Sequence, residues 1–298
     1  MIHAPMRATL IINPAAGRGA GQKLSAAIVS HLAQLDIAVQ PFYSDSPGGV
    51  TRLVKQQLHV QPEMLIVAGG DGSVHEAVNG WMQAGGGVPL AVIPIGTGND
   101  FSKMLAAGPD WRAACQSIAN RKTREVDVGR CNDFYFANSL GIGFDAQVAQ
   151  TANRMQWLRG NLVYGIAVVD TLLFRHRTPM VHLQNKIGTL DTAITLIAVS
   201  NGCCEGGAFQ LAPHAKIDDG LFDVIVAQSL SRLGILALVP QVLRGKHLGR
   251  PGIVDFKTDK LLIESEAGLP VHADGEIRYT NAKRLDIEIL PQRLTVVA

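Results

Sequence analysis

The 298-residue chain has few cysteines, almost no net charge and no cluster of basic residues. Its four cysteines lack paired C-x-x-C spacing, and the adjacent Cys203 and Cys204 are a poor basis for a disulfide framework. We therefore expect a reducing, cytoplasmic location. A formal net charge of +2 without a run of Lys or Arg argues against a nucleic-acid partner.

The sequence also lacks a long uninterrupted apolar segment. Its most apolar stretches, 158–174 and 230–243, are interrupted by Asp170 or Arg232 and are shorter than a ~20-residue membrane span. Residues 1–6 have no apolar core, so we expect no signal peptide. These absences predict a soluble protein, at most peripheral on the inner face of the membrane. The nine histidines show no paired ligand spacing, which argues against a zinc site.

The first half of the chain alternates strand and helix patterns. Apolar runs such as 8–12 and 64–67 are typical of parallel strands that are covered on both faces. Apolar residues recur at helical spacing after these runs, as in 24–35 and 74–82. This alternation predicts a doubly wound α/β domain, in which ligands bind at the carboxyl ends of the strands.

Strand patterns outnumber helix patterns in the second half, where helices are expected near 148–174 and 231–244. We therefore place a second, β-rich domain at 130–290. The first domain is expected at 1–129, and the last segment, about 291–298, is expected to return to it.

Two glycine-rich segments follow neighbouring strands of the first domain. Residues 69–73 read Gly-Gly-Asp-Gly-Ser, and residues 96–100 read Gly-Thr-Gly-Asn-Asp. Glycines 69, 70 and 72 are expected to adopt left-handed backbone angles and to let the main chain approach a bulky anion. Amides at the start of the next helix would face that anion. Because Asp71 would repel phosphate unless a divalent cation lay between them, we expect a metal-bound nucleotide.

Each motif also has a purely structural interpretation. The Gly17, Gly19 and Gly21 segment lacks the spacing of a dinucleotide fingerprint and, alone, is more often a structural turn. Asp71 could cap a helix. Asp274 and Gly275 form a normal hairpin-turn signal.

Taken together and in order, these motifs resemble the diacylglycerol kinase catalytic-domain family, and most of all its small soluble bacterial lipid kinases. Asn13-Pro14 with the three glycines of 17–21 resembles the family's first loop, Val126–Gly129 its strand at the domain junction, and Asp274–Glu276 its late acidic motif. NAD kinases share the Gly-Gly-Asp-Gly turn. The loop that begins at Gly96 favours lipid kinases.

The resemblance implies a nucleotide-binding domain, a lipid-substrate domain and an active site in the cleft between them. It implies transfer of the γ-phosphoryl group of ATP to a lipid hydroxyl at the membrane surface, with diacylglycerol or phosphatidylglycerol as acceptor. Asp71 and Asp127 would hold a catalytic Mg²⁺, Asp274 would accept the hydroxyl proton, and Glu276 would support it. The implied nucleotide contacts are Ser44, Gly70, Asp71, Gly72, Ser73, Val74, His75, Glu76, Thr97 and Asn99.

Two positions need comment beside the family pattern. His75 stands where the family usually has Asn, and we expect a surface or phosphate-proximal residue rather than a catalyst. The resemblance also implies a structural Mg²⁺ or Ca²⁺, held by the side chain of Asp219 and the carbonyls of Lys216 and Leu221, which are oxygen ligands suited to a hard cation. Without the resemblance, this segment is an acidic turn.

Three other functions remain open at this stage. A sphingoid-base kinase would phosphorylate a similar primary hydroxyl. An NAD kinase would use the same glycine turn but a further Asn-Glu motif, and Glu76 and Asn79 stand in the reverse order. A non-enzymatic nucleotide sensor would need no acid at position 274.

Overall fold

The structure is a computed structural model that describes residues 5–105, 108, 110–154, 166–167, 169–172 and 177–298. Its strands are β1 Met6–Ile12, β2 Ile37–Tyr43, β3 Met64–Gly69, β4 Leu90–Pro94, β5 Thr123–Cys131, β6 Phe134–Phe136, β7 Ser139–Gly143, β8 Met180–Gln184, β9 Thr189–Ser200, β10 Phe222–Gln228, β11 Ile253–Thr258, β12 Lys260–Ala273 and β13 Glu276–Val297. Its helices are α1 Ala16–Gln34, α2 Gly49–Leu58, α3 Asp71–Gln83, α4 Asp100–Met104, α5 Trp111–Asn120, α6 Phe144–Arg154 and α7 Arg232–Val242.

The chain divides into two compact units. The first comprises Met1–Asp127 with Gln292–Ala298, and the second comprises Val128–Pro291. Each unit has its own buried apolar cluster. In the part of the chain that the structure describes, no helix has both the length and the apolarity needed to cross a membrane.

The first unit contains a parallel sheet in the order β4-β3-β1-β2. All six residues of β3 and all five of β4 are buried, because helices pack on the sheet and apolar side chains point to both faces. At the end of the chain, Val296 pairs in parallel with Leu90 of β4. This is the doubly wound α/β arrangement that the alternating pattern predicts.

Helix α1 begins with a left-handed segment before its regular turns. Gly17, Arg18 and Gly19 have φ angles of 58°, 58° and 87°. A Cβ atom on Gly17 would overlap the carbonyl oxygen of Ile95, so glycine is required there for both its angle and its lack of a side chain. The first glycine segment therefore lies against the main chain that follows β4.

The second unit is an antiparallel sheet in the order β11-β10-β9-β7-β12-β13, with β8 paired to β9 and β12. Phe136 and Phe222 stack with ring centroids 5.5 Å apart in its core. Helix α7 confirms the helix expected near 231–244, and the Ser231 hydroxyl accepts the N–H of Gly234 at its start. The other expected helix, 148–174, falls largely outside the described residues, and its described start is in α6.

Strands β12 and β13 form a hairpin that confirms the turn predicted at Asp274 and Gly275. Ala273 pairs with Glu276, and the two residues between them have φ angles of 51° and 85°. Two consecutive left-handed residues in a two-residue loop match the twist of an antiparallel pair. The turn fixes the backbone of the late acidic motif.

Candidate active site

Three loops of the first unit meet at the carboxyl ends of its parallel strands. A Cβ atom on Gly96 would lie 2.5 Å from the Cα atom of Gly70, so the loops after β3 and β4 touch main chain to main chain. The Asn13 side-chain amide donates to the Ser73 hydroxyl at 2.9 Å and joins the loop after β1 to the other two. The three glycine motifs of the sequence are thus close together.

The glycines after β3 are needed for space and not for left-handed angles. Gly70 has a φ of −99°, and neither Gly69 nor Gly72 has a positive φ, so the sequence-based expectation for these glycines is wrong. A Cβ atom on Gly69 would overlap the side chain of Ser73. In the loop after β4, the left-handed residue is Asn99, with φ 53°. Crowding, by the Ser73 side chain at Gly69 and by the Gly96 main chain at Gly70, selects glycine at these two positions rather than dihedral freedom.

Asp71 opens α3 and faces the next loop. Its Oδ1 atom accepts the N–H of Asp100 at 2.6 Å, and Gly70 occupies the capping position that Asp71 could have taken. Burial and the nearby Asp100 carboxylate raise the pKa of Asp71 to about 6. Asp100 is neutralised by Lys103 at 3.0 Å. Among the described residues no cation is paired with Asp71, so the chemistry of this donor fits a divalent ion.

Other residues of α3 have structural contacts. The Glu76 carboxylate accepts the N–H groups of Gly48 and Val50 at 2.8 and 2.9 Å, and thereby binds the start of α2. His75 is buried, 3% exposed, which corrects its expected surface position. Val74 and Ser73 are also buried. Their nucleotide contacts stay predictions.

The remaining residues that the sequence assigns to the nucleotide differ in exposure. The Asn99 side chain closes the loop after β4, since its Oδ1 accepts the N–H of Gly96 and its Nδ2 donates to the Gly96 carbonyl. Thr97, at the tip of this loop, is exposed. Ser44 is partly buried, and its N–H donates to the Ile12 carbonyl at 3.0 Å. Asn99 therefore shapes the loop that presents Thr97.

Asp127 lies at the end of the first unit and is completely buried. Its Oδ1 atom accepts the N–H of Gln292 at 2.7 Å. Gln292 has a φ of 49°, so the carboxylate stabilises a left-handed residue where the chain returns to this unit. A carboxylate in this position has a structural role whether or not it also takes part in ion binding.

In the second unit, Asp274 is bound by three consecutive amides. Its Oδ1 accepts the N–H groups of Asn138 and Ser139 at 2.9 and 3.1 Å, and its Oδ2 accepts that of Ala137 at 3.1 Å. Glu276 is exposed. Within the described residues, no side-chain hydrogen bond or ion pair of Glu276 is found. The two acids of the late motif therefore have very different surroundings.

Sequence reasoning missed a buried polar cluster beside this turn. Atoms of Asp145, Glu205 and His272 that could bind a cation lie within 4.8 Å of one another. His272 is completely buried, and its neighbours in β12, Val271 and Ala273, are apolar core residues. It is thus a polar residue within an otherwise apolar buried segment. The sequence signal that could have indicated this cluster is a histidine within an otherwise apolar strand. Asp145 and Glu205 are far from His272 in the sequence, so no local pattern indicates that they belong to the cluster.

A pocket of about 480 Å³ also lies within the second unit. Its lining includes Phe144, Gln147, Arg177 and Pro270, together with Ile277, which directly follows Glu276. This volume falls within the usual range for small-molecule sites, and the lining combines apolar surface with a few polar groups.

The loop expected to hold a structural ion already contains an ammonium group. Lys257 Nζ lies 2.9 Å from Asp219 Oδ2 and 3.0 Å from Asp223 Oδ2. The other oxygen of Asp219 accepts the N–H of Leu221 at 3.2 Å. Burial opposes the charge of Lys257, but the two carboxylates outweigh it and raise its pKa. A divalent ion does not fit at Asp219 unless Lys257 is displaced, so we assign no chemistry to this loop.

A parallel α/β unit with glycine-rich loops at its strand ends, followed along the chain by an antiparallel β-rich unit, defines a class of two-domain α/β proteins. The diacylglycerol kinase catalytic domain matches residues 7–131, and the YegS C-terminal NAD kinase beta sandwich-like domain matches residues 138–298. The chain belongs to the diacylglycerol kinase catalytic-domain family, as the motifs of the sequence predict.

Named relatives match over nearly the whole chain. A diacylglycerol kinase of Mycobacterium tuberculosis is 28% identical over 301 residues, which cover 99% of this chain and 96% of that protein. A diacylglycerol kinase of Bacillus subtilis is 26% identical over 91% of this chain and 89% of its own length. The crystal structure of a diacylglycerol kinase from Bacillus anthracis str. Sterne has a TM-score of 0.76 at 25% identity, with 99% of this chain and 97% of that chain covered. A second structure from that organism has a TM-score of 0.82 at 26% identity, with 100% and 96% covered.

The contact between Gly70 and Gly96 predicts a large cost for a single methyl group. We expect Gly96→Ala to lower the free energy of unfolding by about 1–3 kcal/mol, because the new Cβ meets main-chain atoms that cannot move independently. Urea denaturation measures this change. Gly188→Ala is the control, since its Cβ would enter open space, and we expect it to be neutral or slightly stabilising. Equal effects of the two substitutions would contradict the close approach of these loops.

The ammonium of Lys257 leads to a second prediction. We expect Lys257→Met to lower the melting temperature, because Asp219 and Asp223 then face each other without a cation. Ca²⁺ at about millimolar concentration should restore the melting temperature of this variant and leave that of the wild type unchanged. Lys186→Met is the control, since Lys186 pairs with the single carboxylate of Asp259. A chelator that lowers the melting temperature of the wild type would instead support the structural ion.

Proposed function

We propose that the protein is an ATP-dependent lipid kinase, which transfers the γ-phosphoryl group of ATP to the hydroxyl of a membrane lipid such as diacylglycerol or phosphatidylglycerol. The observation that carries this proposal is the meeting of three loops, after β1, β3 and β4, at one edge of the parallel sheet. Phosphoryl transfer depends mainly on positioned phosphate groups, charge neutralisation and a proton acceptor. The membership of the chain in the diacylglycerol kinase family supports a lipid acceptor.

In this proposal the first unit binds ATP. The N–H groups at the start of α3, from Gly70 to Gly72, face the phosphates together with the dipole of that helix, whereas the Ser73 N–H donates to the Gly70 carbonyl. Thr97, exposed on the loop that Asn99 closes, contacts the same nucleotide. Ser44, which follows β2, contacts the same nucleotide, as the family resemblance implies. Glu76 has a structural role in this proposal, because its carboxylate accepts a main-chain N–H at the start of α2.

Asp71, with Asp127 in support, would hold a Mg²⁺ ion, which neutralises charge on the transferring phosphoryl group when it is bound. Asp71 suits this role because its carboxylate is largely buried and, in the part of the chain that the structure describes, no cation is paired with its charged form. The amide of Asp100 holds that carboxylate in one orientation. Any nucleotide site of this design requires Asp71 to be ionised.

The contacts of Asp274 help to decide whether Asp274 or Glu276 accepts the proton of the lipid hydroxyl. Three N–H bonds engage both oxygens of the Asp274 carboxylate and hold it in one orientation, so this acid is already used by the structure. Glu276 is exposed, and within the described residues no side-chain hydrogen bond or ion pair engages its carboxylate, so this acid can reach a substrate. We therefore propose Glu276 as the proton acceptor and Asp274 as the residue that positions it, which reverses the roles expected from the sequence.

The acceptor side is assigned to the pocket of the second unit. Its mixture of apolar residues, such as Phe144, and polar residues, such as Gln147 and Arg177, suits the glycerol region of a lipid, where acyl chains meet hydroxyl and ester groups. The acyl chains would stay in the membrane, so binding is expected to be reversible and interfacial. An NAD kinase activity is the second candidate, because the matched domain of the second unit is named as NAD kinase-like.

Transfer of radiolabel from ATP tests the proposal directly. The purified protein, Mg²⁺ and [γ-³²P]ATP are incubated with mixed micelles that contain diacylglycerol, phosphatidylglycerol or a sphingoid base, and separately with NAD. Label in a lipid product supports the proposal and identifies the acceptor. Label in NAD alone replaces the lipid with the second candidate. ATP binding without transfer to any acceptor indicates a sensor.

Replacement of each acid by its amide separates the roles of Glu276 and Asp274. We expect Glu276→Gln to lower kcat by roughly 10²- to 10⁴-fold, with unchanged melting temperature and unchanged KM for ATP, because it removes only the proton acceptor. Asp274→Asn should also lower the free energy of unfolding, by about 1–3 kcal/mol, because one amide of the 137–139 segment loses its acceptor. Thermal unfolding and steady-state kinetics measure both.

The control for this pair is Glu266→Gln, the same chemical change at a fully exposed residue of β12. It should leave kcat and stability unchanged. If Glu276→Gln retains kcat within a few-fold while Asp274→Asn loses it at unchanged stability, the proton acceptor is Asp274, as the sequence alone suggests.

A further inference from the structure

His272 is fully buried directly beneath the acidic turn, and both of its ring nitrogens have partners. Nδ1 lies 3.2 Å from the N–H of Gly275, in the centre of the turn. Nε2 lies 3.2 Å from Asp145 Oδ2 and 3.1 Å from Glu205 Oε1.

The same cluster reaches the turn by a second route. The Ser139 hydroxyl donates to Glu205 Oε2 at 2.8 Å, and the Ser139 N–H donates to Asp274 Oδ1. A closed ring of hydrogen bonds and one charged contact, that between His272 and Glu205, therefore runs from Gly275 through His272, Glu205 and Ser139 to Asp274. Both central residues of the turn are held by this ring.

The fold leaves space for the imidazole at one position. A Cβ atom on Gly141 would overlap both His272 Nε2 and the Asp145 carboxylate. Gly141 pairs with His272 across β7 and β12 and has no positive φ, so its lack of a side chain is not needed for the backbone. Because residue 141 is a glycine, there is space for the imidazole ring of His272.

The two contacts of the ring determine where its proton lies. The carboxylates of Asp145 and Glu205 require hydrogen on Nε2, and the Gly275 N–H requires a bare Nδ1. Burial opposes a charged ring, while Glu205 and Asp145 favour one and raise the pKa of His272. The Gly275 N–H faces Nδ1 and opposes a second proton there. A metal ion on Nε2 would also place hydrogen on Nδ1, so the geometry favours the neutral Nε2–H ring over a metal ligand.

We propose that His272 is a positioning residue, which holds the Asp274–Gly275 turn through Nδ1 and thereby fixes Glu276 for its reaction. This proposal rests on the proposed kinase function. Residue 275 is the third position of the hairpin turn, and its N–H is not used by the turn itself. The bond to His272 therefore restrains a turn that otherwise has an unpartnered amide at its centre. A displacement of about 1 Å at a reacting group costs about 10²-fold in rate.

Two substitutions separate the two nitrogens. His272→Asn retains an acceptor near the Nδ1 position, and His272→Gln retains a donor near the Nε2 position. We expect His272→Asn to lower the melting temperature but to keep kcat within about tenfold of the wild type. We expect His272→Gln to be the more stable variant and to lose about 10²-fold in kcat, with KM for ATP unchanged in both. If kcat instead follows the melting temperature across the two variants, the role is only structural and the proposal is wrong.

The control is His182→Asn, because His182 is a partly exposed histidine of the same unit whose Nδ1 pairs with Asp191. It should change neither kcat nor the melting temperature appreciably. A measurement on the wild-type protein tests the proposal even if a variant fails to fold. Amide hydrogen exchange should show Gly275 protected far beyond an unbonded turn amide, and fast exchange at Gly275 would overturn the proposal.

The exchange measurement also distinguishes this proposal from the function on which it rests. A protected Gly275 amide in a protein that phosphorylates no lipid would retain the His272 contact and reject the kinase. Lipid phosphorylation with a rapidly exchanging Gly275 amide would retain the kinase and reject the role of His272.

Discussion

Contact between main chains at Gly70 and Gly96 is the constraint on which the first unit's loops depend. Atoms of two loops can approach this closely only when both positions lack a side chain. The approach brings the start of α3 beside the start of α4, where Asp71 binds the Asp100 amide. The burial that accompanies this packing raises the proton affinity of Asp71. Packing and electrostatics at this edge of the sheet thus have one origin.

Carboxylates bound to main-chain amides recur through both units. Asp71, Glu76, Asp127 and Asp274 each accept at least one backbone N–H. Such bonds satisfy amides that the turns and helix starts leave without partners. They also favour the ionised carboxylate and fix its orientation. These acidic residues therefore shape the loops of this chain.

Much of this arrangement is predictable from the sequence. Apolar runs such as 64–67 predict buried parallel strands, and Asp274-Gly275 predicts a two-residue hairpin turn, because these features depend on neighbouring residues alone. The angles of Gly69 and Gly70 were mispredicted, since a glycine required for close packing looks the same in a sequence as one required for a left-handed angle. The buried position of His75 depends on what packs against α3, which sequence periodicity specifies poorly.

Contacts between distant residues explain the remaining differences. Lys257 neutralises Asp219 from 38 positions away, and the amides of 137–139 bind Asp274 across more than 130 positions. Neither pairing leaves a local pattern. For Gly141 and His272, the shared space has an evolutionary consequence. A side chain can appear at 141 only after the ring at 272 has become smaller, so the order of substitutions matters, and homologous chains should vary at these two positions together.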